Sequence, residues 1–125
     1  MIQREEIIKN YFNAWIRKDS TIITDIFDSD VIYSECYGPE YRGAQVIERW
    51  FKDWITKGTV LSWDIKQFLH QSNITAVEWY FKCDYEGVLT DFNGVSLIEF
   101  NEDYHIVNLK EFQSKIPHYC PYNEY

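Results

Sequence analysis

The sequence predicts an α+β domain, with three helices covering one face of a long curved sheet of antiparallel or mixed strands. Two periodicities carry this reading. Between residues 4 and 55 apolar residues recur at spacings of three and four, as on one side of an amphipathic helix. After Gly58 they alternate with polar residues, as in strands with one buried face. Size is the third observation. At 125 residues and 46% apolar content, residues 1–125 make a single domain that can bury a core without disulfides or structural metal.

The elements follow in the order α-α-β-α-β-β-β-β. Over residues 4–18, Ile7, Ile8, Tyr11, Phe12, Trp15 and Ile16 form one helical stripe. Asp19-Ser20 supplies a break and a cap. A short second helix carries Ile22, Ile23, Ile26 and Phe27, and Asp28-Ser29-Asp30 ends it. Residues 31–37 are β-branched and aromatic, hence a strand. Gly38-Pro39 turns the chain, and Tyr41-Arg42-Gly43 leads into a third helix. Its inner residues are Val46, Ile47, Trp50, Phe51, Trp54 and Ile55, and Lys57-Gly58 stops it. Leu61, Trp63, Ile65 and Leu69 mark the inner face of the first long strand, with Phe68 and His70 outside. Val77, Trp79, Phe81 and Cys83 mark that of the second, so Glu78 and Tyr80 point outward. Ser72-Asn73 and Glu86-Gly87 are turns. Residues 88–101 form a third long strand, irregular near Asn93-Gly94, and residues 105–114 the last. Residues 115–125, with Pro117, Tyr119, Pro121, Tyr122 and Tyr125, form an irregular tail that could cover a pocket mouth. Strands this long curl, and a curled sheet closed by helices is a cone with room for a cavity.

Charge and composition exclude several function classes. There are 12 Lys+Arg against 20 Asp+Glu, a formal net charge of -8. An acidic surface repels phosphate backbones, which argues against nucleic acid. No apolar run approaches the roughly 20 residues of a spanning helix, so no membrane partner is expected. Residues 1–6 carry no hydrophobic signal region, and a cytoplasmic location is expected. Cys36, Cys83 and Cys120 have no zinc-ligand spacing, so neither metal nor cofactor is expected. Aromatic content is 18%, with 5 Trp, and serves either a dense core or a lined pocket.

Alternation places the candidate functional side chains. Val31, Tyr33 and Glu35 share a face, as do Gly94, Ser96, Ile98 and Phe100. On the last strand it leaves two faces open, Val107/Leu109/Glu111/Gln113 and Ile106/Asn108/Lys110/Phe112.

The order and landmarks of the chain resemble the nuclear-transport-factor-2-like superfamily and, within it, the SnoaL-like domains. The landmarks are Tyr11-Phe12-Asn13-Ala14-Trp15 with Lys18-Asp19, Val31-Ile32-Tyr33-Ser34-Glu35, Tyr41-Arg42-Gly43, Ala76-Val77-Glu78-Trp79, Gly94-Val95-Ser96 and Leu109-Lys110-Glu111-Phe112. The resemblance covers nearly the whole chain and implies a cystatin-like cone enclosing a pocket. The superfamily holds ketosteroid isomerases, limonene epoxide hydrolases, polyketide cyclases, scytalone dehydratases and non-catalytic domains, so fold does not settle function. The resemblance implies that the Leu109/Glu111 face meets the pocket. The ketosteroid-isomerase pattern implies Glu35 as general base and Tyr11 as phenol donor. Where that pattern has a protonated carboxylic acid this sequence has Ser96, a departure that weakens the two-donor arrangement. The epoxide-hydrolase pattern places an Arg between two acids, where this sequence has Trp79. Relatives commonly dimerise through the outer sheet face, here carrying Val95, Leu97, Phe68 and Tyr80, so a homodimer is expected.

The expected site is a pocket lined by Trp15, Tyr33, Trp50, Trp54, Trp63, Trp79, Phe81 and Leu109. Glu35, Tyr11, Glu111 and Ser96 are its candidate catalytic residues. Carboxylates held there lose hydration, and their pKa values rise into the range of general acids and bases. Three functions fit. The first is a cofactor-free isomerase, dehydratase or cyclase acting on a small apolar or aromatic ligand. The second is a binding domain without turnover, and the third a protein-interaction module using the sheet face.

Overall fold

Helix α1 (Ile2–Arg17) buries Ile8, Tyr11, Phe12, Ala14 and Trp15 along one side. It ends at Lys18, whose left-handed backbone lets the Asp19 N–H reach the Ala14 carbonyl at 2.9 Å. Asp19 then accepts bonds from the Thr21 amide and hydroxyl at 3.0 and 2.6 Å, closing a side-chain turn. The four-residue α2 (Ile23–Ile26) buries Ile23 and Ile26. Strand β1 (Phe27–Ser34) follows directly, so Asp28-Ser29-Asp30 lies within a strand and does not close the helix as expected. The reason is Phe27, which is extended and packs edge-on against Tyr11 at 5.2 Å. β1 therefore ends at Ser34, three residues short of the expected end. Glu40 to Arg42 form a short strand, β2 (Glu40–Arg42), that the alternation pattern is too short to reveal. It pairs back on β1 with Tyr41 opposite Tyr33. Helix α3 (Ala44–Ile55) buries Ala44, Ile47 and Phe51.

Four long strands complete the fold: β3 (Gly58–Gln71), β4 (Ile74–Tyr85), β5 (Val88–Phe100) and β6 (Ile106–Ser114). The computed structural model describes residues 1–122, so Tyr125 lies outside the described residues. The six strands form one sheet in the order β2-β1-β6-β5-β4-β3. β1 and β6 are parallel and the other neighbours antiparallel. This is the α+β architecture the sequence predicts: a mixed, unclosed sheet whose inner face packs on three N-terminal helices. Both expected hairpin turns are present, with positive φ at Ser72, Glu86 and Gly87. Among the described residues no helix is long and apolar enough to cross a membrane.

Strand β3 departs from simple alternation. Register shifts at Val60/Ser62 and Ile65/Gln67 each add a residue opposite β4. The inner face therefore runs Val60, Trp63, Ile65, Phe68, His70. Leu61 and Leu69, expected inside, are 46% and 63% exposed, whereas Phe68 and His70 turn inward. Polar partners hold His70 there. Its Nδ1 lies 2.8 Å from the buried Thr75 hydroxyl and its Nε2 2.7 Å from Glu5 of α1. In β6 a shift at Glu99/Phe100 puts Ile106 inside with Leu109, so Val107 leaves the inner set.

Strand β5 is more regular than expected. It pairs with β4 without interruption through Asn93 and Gly94. Gly94 sits opposite Trp79, and a Cβ there would come within 2.6 Å of the Phe112 carbonyl oxygen and 2.7 Å of Trp79 Cζ2. The glycine makes room for an indole laid across the strand; it does not mark a bulge. Gly94→Ala should therefore destabilise the fold by about 1–3 kcal/mol, the usual scale of overpacking. Urea unfolding checks this, and an unchanged midpoint would contradict the close approach.

Candidate functional site

The helices and the inner sheet face do not meet everywhere. Between them lies a cavity of about 520 Å³, within the roughly 300–1,000 Å³ of small-molecule sites. Trp15 of α1 forms one wall with Trp50 and Trp54, which stand one helical turn apart on α3. The sheet wall consists of Trp63 on β3, Trp79, Phe81 and Tyr85 on β4, and Phe92 on β5. Tyr33 and Tyr41, from the β1–β2 hairpin, join the two walls. The rings brace one another. Tyr41 stacks on Trp50 at 4.3 Å, and Trp63 stacks on the core residue Phe12 at 3.8 Å.

Two carboxyl groups enter this aromatic enclosure. The parallel β1–β6 pairing sets Tyr33 beside Leu109, which is fully buried, so Glu111 two residues on also faces inward. Glu111 Oε2 accepts a 2.6 Å hydrogen bond from the Tyr33 hydroxyl. The Tyr33 oxygen in turn accepts one of 2.7 Å from Tyr11. Burial pushes the Glu111 pKa up to about 7, opposed by the Tyr33 bond and the Cys36 backbone N–H and assisted by the charge of Glu35. Glu35 follows β1 in the turn to β2, where its N–H bonds the Pro39 carbonyl at 2.9 Å. Burial raises its pKa as well, and a 2.9 Å bond from the Tyr41 hydroxyl partly offsets this.

Burial holds the phenols of Tyr11 and Tyr33 well above their usual pKa, so both keep their protons. Burial together with the two nearby glutamates drives Cys36 up to about 12, which leaves the thiol inert. Among the described residues no basic side chain pairs with Glu35 or Glu111; Arg42 pairs instead with Glu40 at 2.8 Å. The exposed Asp53 and Lys57 border the cavity. The indole N–H groups of Trp15 and Trp63 are buried without an acceptor among the described residues, and both rings line the cavity. Among the described residues no group of three or more His, Cys, Asp or Glu is arranged to hold a metal ion.

Of the residues singled out in the sequence, Glu35, Glu111, Trp15, Tyr33, Trp50, Trp54, Trp63, Trp79 and Phe81 line the cavity. Tyr11, Ser96 and Leu109 do not. Tyr11 is only 1% exposed and touches the site through Tyr33. Ser96 is covered by Trp79, whose Nε1–H donates to it at 3.0 Å. Leu109 belongs to the core beneath the cavity. Among the described residues none beyond Glu111 lines the cavity; Tyr125 of the tail lies outside the described residues. Tyr119 and Tyr122 of that tail are exposed. Tyr85 and Phe92 were accessible by parity with Trp79 and Gly94, whereas Tyr41 depends on the short strand β2.

A family model described as SnoaL-like domain matches residues 8–109. No curated protein matches the chain significantly. Solved structures share the fold. An LEH-like epoxide hydrolase of M. tuberculosis superposes with a TM-score of 0.81 at 11% identity, covering 90% of this chain and 84% of that one. A hypothetical protein of ketosteroid isomerase-like fold from Catenulispora acidiphila DSM 44928, in complex with trimethylamine, gives 0.76 at 15% identity, covering 86% and 84%. An NTF-2 like protein of unknown function from Burkholderia xenovorans LB400 gives 0.73 at 19%, covering 94% and 87%.

The Glu111 environment has a consequence for stability. The folded chain holds this proton more tightly than the unfolded chain, whose carboxyl titrates near 4.5. Stability is therefore highest below that pH and falls as pH rises towards about 7, by on the order of 3 kcal/mol at most. Glu111→Gln cannot ionise, so its stability relative to wild type should improve between pH 5 and pH 8. Thermal melts across that range check the trend, and a difference that stays flat with pH would refute it.

Proposed function

The chain belongs to the SnoaL-like domain family, and from that premise we propose that the cavity takes a small, largely apolar ligand and moves protons on it with Glu35 and Glu111. The observation that carries this reading is a pair of acids, Glu35 and Glu111, lining one aromatic cavity, with Glu111 held by the Tyr33 hydroxyl and pushed by burial up to about 7. Two carboxyls in different surroundings divide into a base and an acid. In this reading Glu35, bonded by Tyr41, is the base, and Glu111 in its protonated form is the acid.

In an isomerisation, Glu35 takes a proton from a carbon beside a carbonyl group, and Glu111 delivers one to the far end of the conjugated system. In a dehydration, Glu35 takes the proton from the carbon beside the carbonyl, the C–H electron pair becomes the new C=C bond as the C–O bond breaks, and Glu111 protonates the departing hydroxyl so that it leaves as water. No electrons leave the ligand, and exchange with solvent restores both carboxyls. The Tyr33 bond keeps the Glu111 carboxyl aimed and stabilises the carboxylate left after proton delivery. Tyr11 is a positioning residue that acts through Tyr33. Among the described residues no arginine lines the cavity, which disfavours the two-acids-and-arginine scheme of epoxide hydrolysis.

The test is a screen of enolisable carbonyl and β-hydroxycarbonyl compounds. Glu111→Gln and Glu35→Gln should each lower kcat/KM by about 10²–10⁴. The wild-type rate should fall above about pH 7 as Glu111 loses its proton, and this limb should vanish in Glu111→Gln. Full turnover by Glu111→Gln would remove that residue from the chemistry. Binding without turnover is the second reading, favoured by Tyr11 and Ser96 lying off the cavity wall. Native mass spectrometry of the purified protein separates the two, since an intact retained ligand with no product supports binding alone.

We also propose that the outer sheet face joins two copies. Leu97 and Phe112, on neighbouring strands β5 and β6, are 42% and 52% exposed there. Light scattering should give twice the 15.1 kDa of one chain, and a 15.1 kDa particle at micromolar concentration would refute the dimer.

A further inference from the structure

We propose that the ligand of this cavity carries a protonated amine on an apolar body, with Glu35 as its counter-ion. The inference rests on the reading of the cavity as a ligand site and adds the ligand's chemical class. Its first ground is charge. Among the described residues, Glu35 and Glu111 line the cavity with no basic side chain inside it, and at its border the exposed Asp53 and Lys57 offset each other. Among the described residues no ion pair engages any of the three acids. An anionic ligand is repelled, and a neutral one leaves a partly desolvated carboxylate uncompensated. A cation supplies the missing charge.

The second ground is the wall itself. Trp50 lies against Tyr41, and Trp15 meets Trp54 edge to face with ring planes at 88°. Indoles and a carboxylate lining one cavity suit an ammonium group, which is attracted to ring faces and to negative charge. The third ground is hydrogen bonding. Glu35 accepts one side-chain bond, from Tyr41 to Oε2, and leaves its other oxygen without a side-chain donor among the described residues. Glu35 is also tied through Tyr41 to the Trp50 stack, whereas Glu111 is tied to the buried tyrosines. Glu35 thus meets the charge, and Glu111 stays free to give or take a proton.

The test compares two probes of nearly the same shape, benzyldimethylamine in its protonated form and the neutral 2-methyl-1-phenylpropan-2-ol. Binding is read by tryptophan fluorescence and calorimetry at fixed ionic strength. The cation should bind on the order of tenfold more tightly than the alcohol. Glu35→Gln should lower the affinity for the cation by on the order of tenfold relative to that for the alcohol, so that the preference disappears. Equal binding to the wild-type protein, or tighter binding of the alcohol, overturns the amine class and leaves the ligand site standing. If neither probe binds at millimolar concentration, both readings fall. A tenfold preference that survives in Glu35→Gln rules out Glu35 as the counter-ion. The wild-type comparison needs no variant, so poor folding of Glu35→Gln would not hide the main result.

Discussion

The hydrogen bond from Tyr33 to Glu111 joins the two ends of the domain and sets the chemistry between them. Its partners are 78 residues apart in the chain. They meet because β1 runs parallel to β6, with Tyr33 in register with Leu109. Tyr11 adds the first helix to the same line. Burial raises the Glu111 pKa. The phenol bond pulls in the other direction, because it favours the carboxylate. With the smaller effects of the Glu35 charge and the Cys36 backbone N–H, the balance is a pKa of about 7. A shift of β6 by one residue would turn Glu111 to the outer face and abolish burial and phenol bond at once.

The cavity stays open for a related reason. Aromatic content of 18% could have filled the cone entirely. Part of it does: Phe12, Phe27, Phe51 and Phe100 are almost wholly buried in the core. The remaining rings brace one another along the walls. Gly94 gives Trp79 a place to lie, and Ser96 fixes its nitrogen there. Phe12 supports Trp63 from behind, and Tyr41 supports Trp50. A ring pinned on one face by another ring has no freedom to swing into the void. The walls are therefore preformed, which limits the ordering cost that a ligand meets on binding.

Much of this was legible in the sequence, because long elements repeat their periodicity. The α1 stripe, the Trp79 face of β4 and the two-residue turns at Ser72-Asn73 and Glu86-Gly87 all follow from spacing. Glu35 and Glu111 could be named, although the inward choice for Glu111 came from resemblance because parity left both faces open. What stayed hidden has common physical causes. The bulges in β3 reverse its pattern at Leu69 and His70, and a bulge costs one residue without any compositional mark. Strand β2 has three residues, too few for any periodicity, and so Tyr41 was not recognised beside Glu35. Tyr11 and Ser96 were placed correctly as inward residues, but inward includes the core as well as the cavity. Alternation gives direction and not depth, and depth is decided by which neighbour is large enough to cover a side chain.

That distinction bears on why position 111 holds an acid. The fold asks only for an inward side chain that accepts the Tyr33 proton, and a glutamine would meet that demand at every pH. The glutamate adds an ionisation that opposes folding between pH 4.5 and about 7. Domains of this size have only about 5–15 kcal/mol of stability in total, so the loss is a substantial fraction. Core packing offers nothing in exchange, since Glu111 borders a void. On the proposed function, the gain lies in what the void receives. A ligand bound to the folded chain alone stabilises it in proportion to the logarithm of its concentration over its Kd. If that ligand also exchanges a proton with Glu111, the strain of holding a half-ionised acid becomes part of the driving force for binding and reaction. Local instability at Glu111 and function of the cavity are then one property of the same side chain.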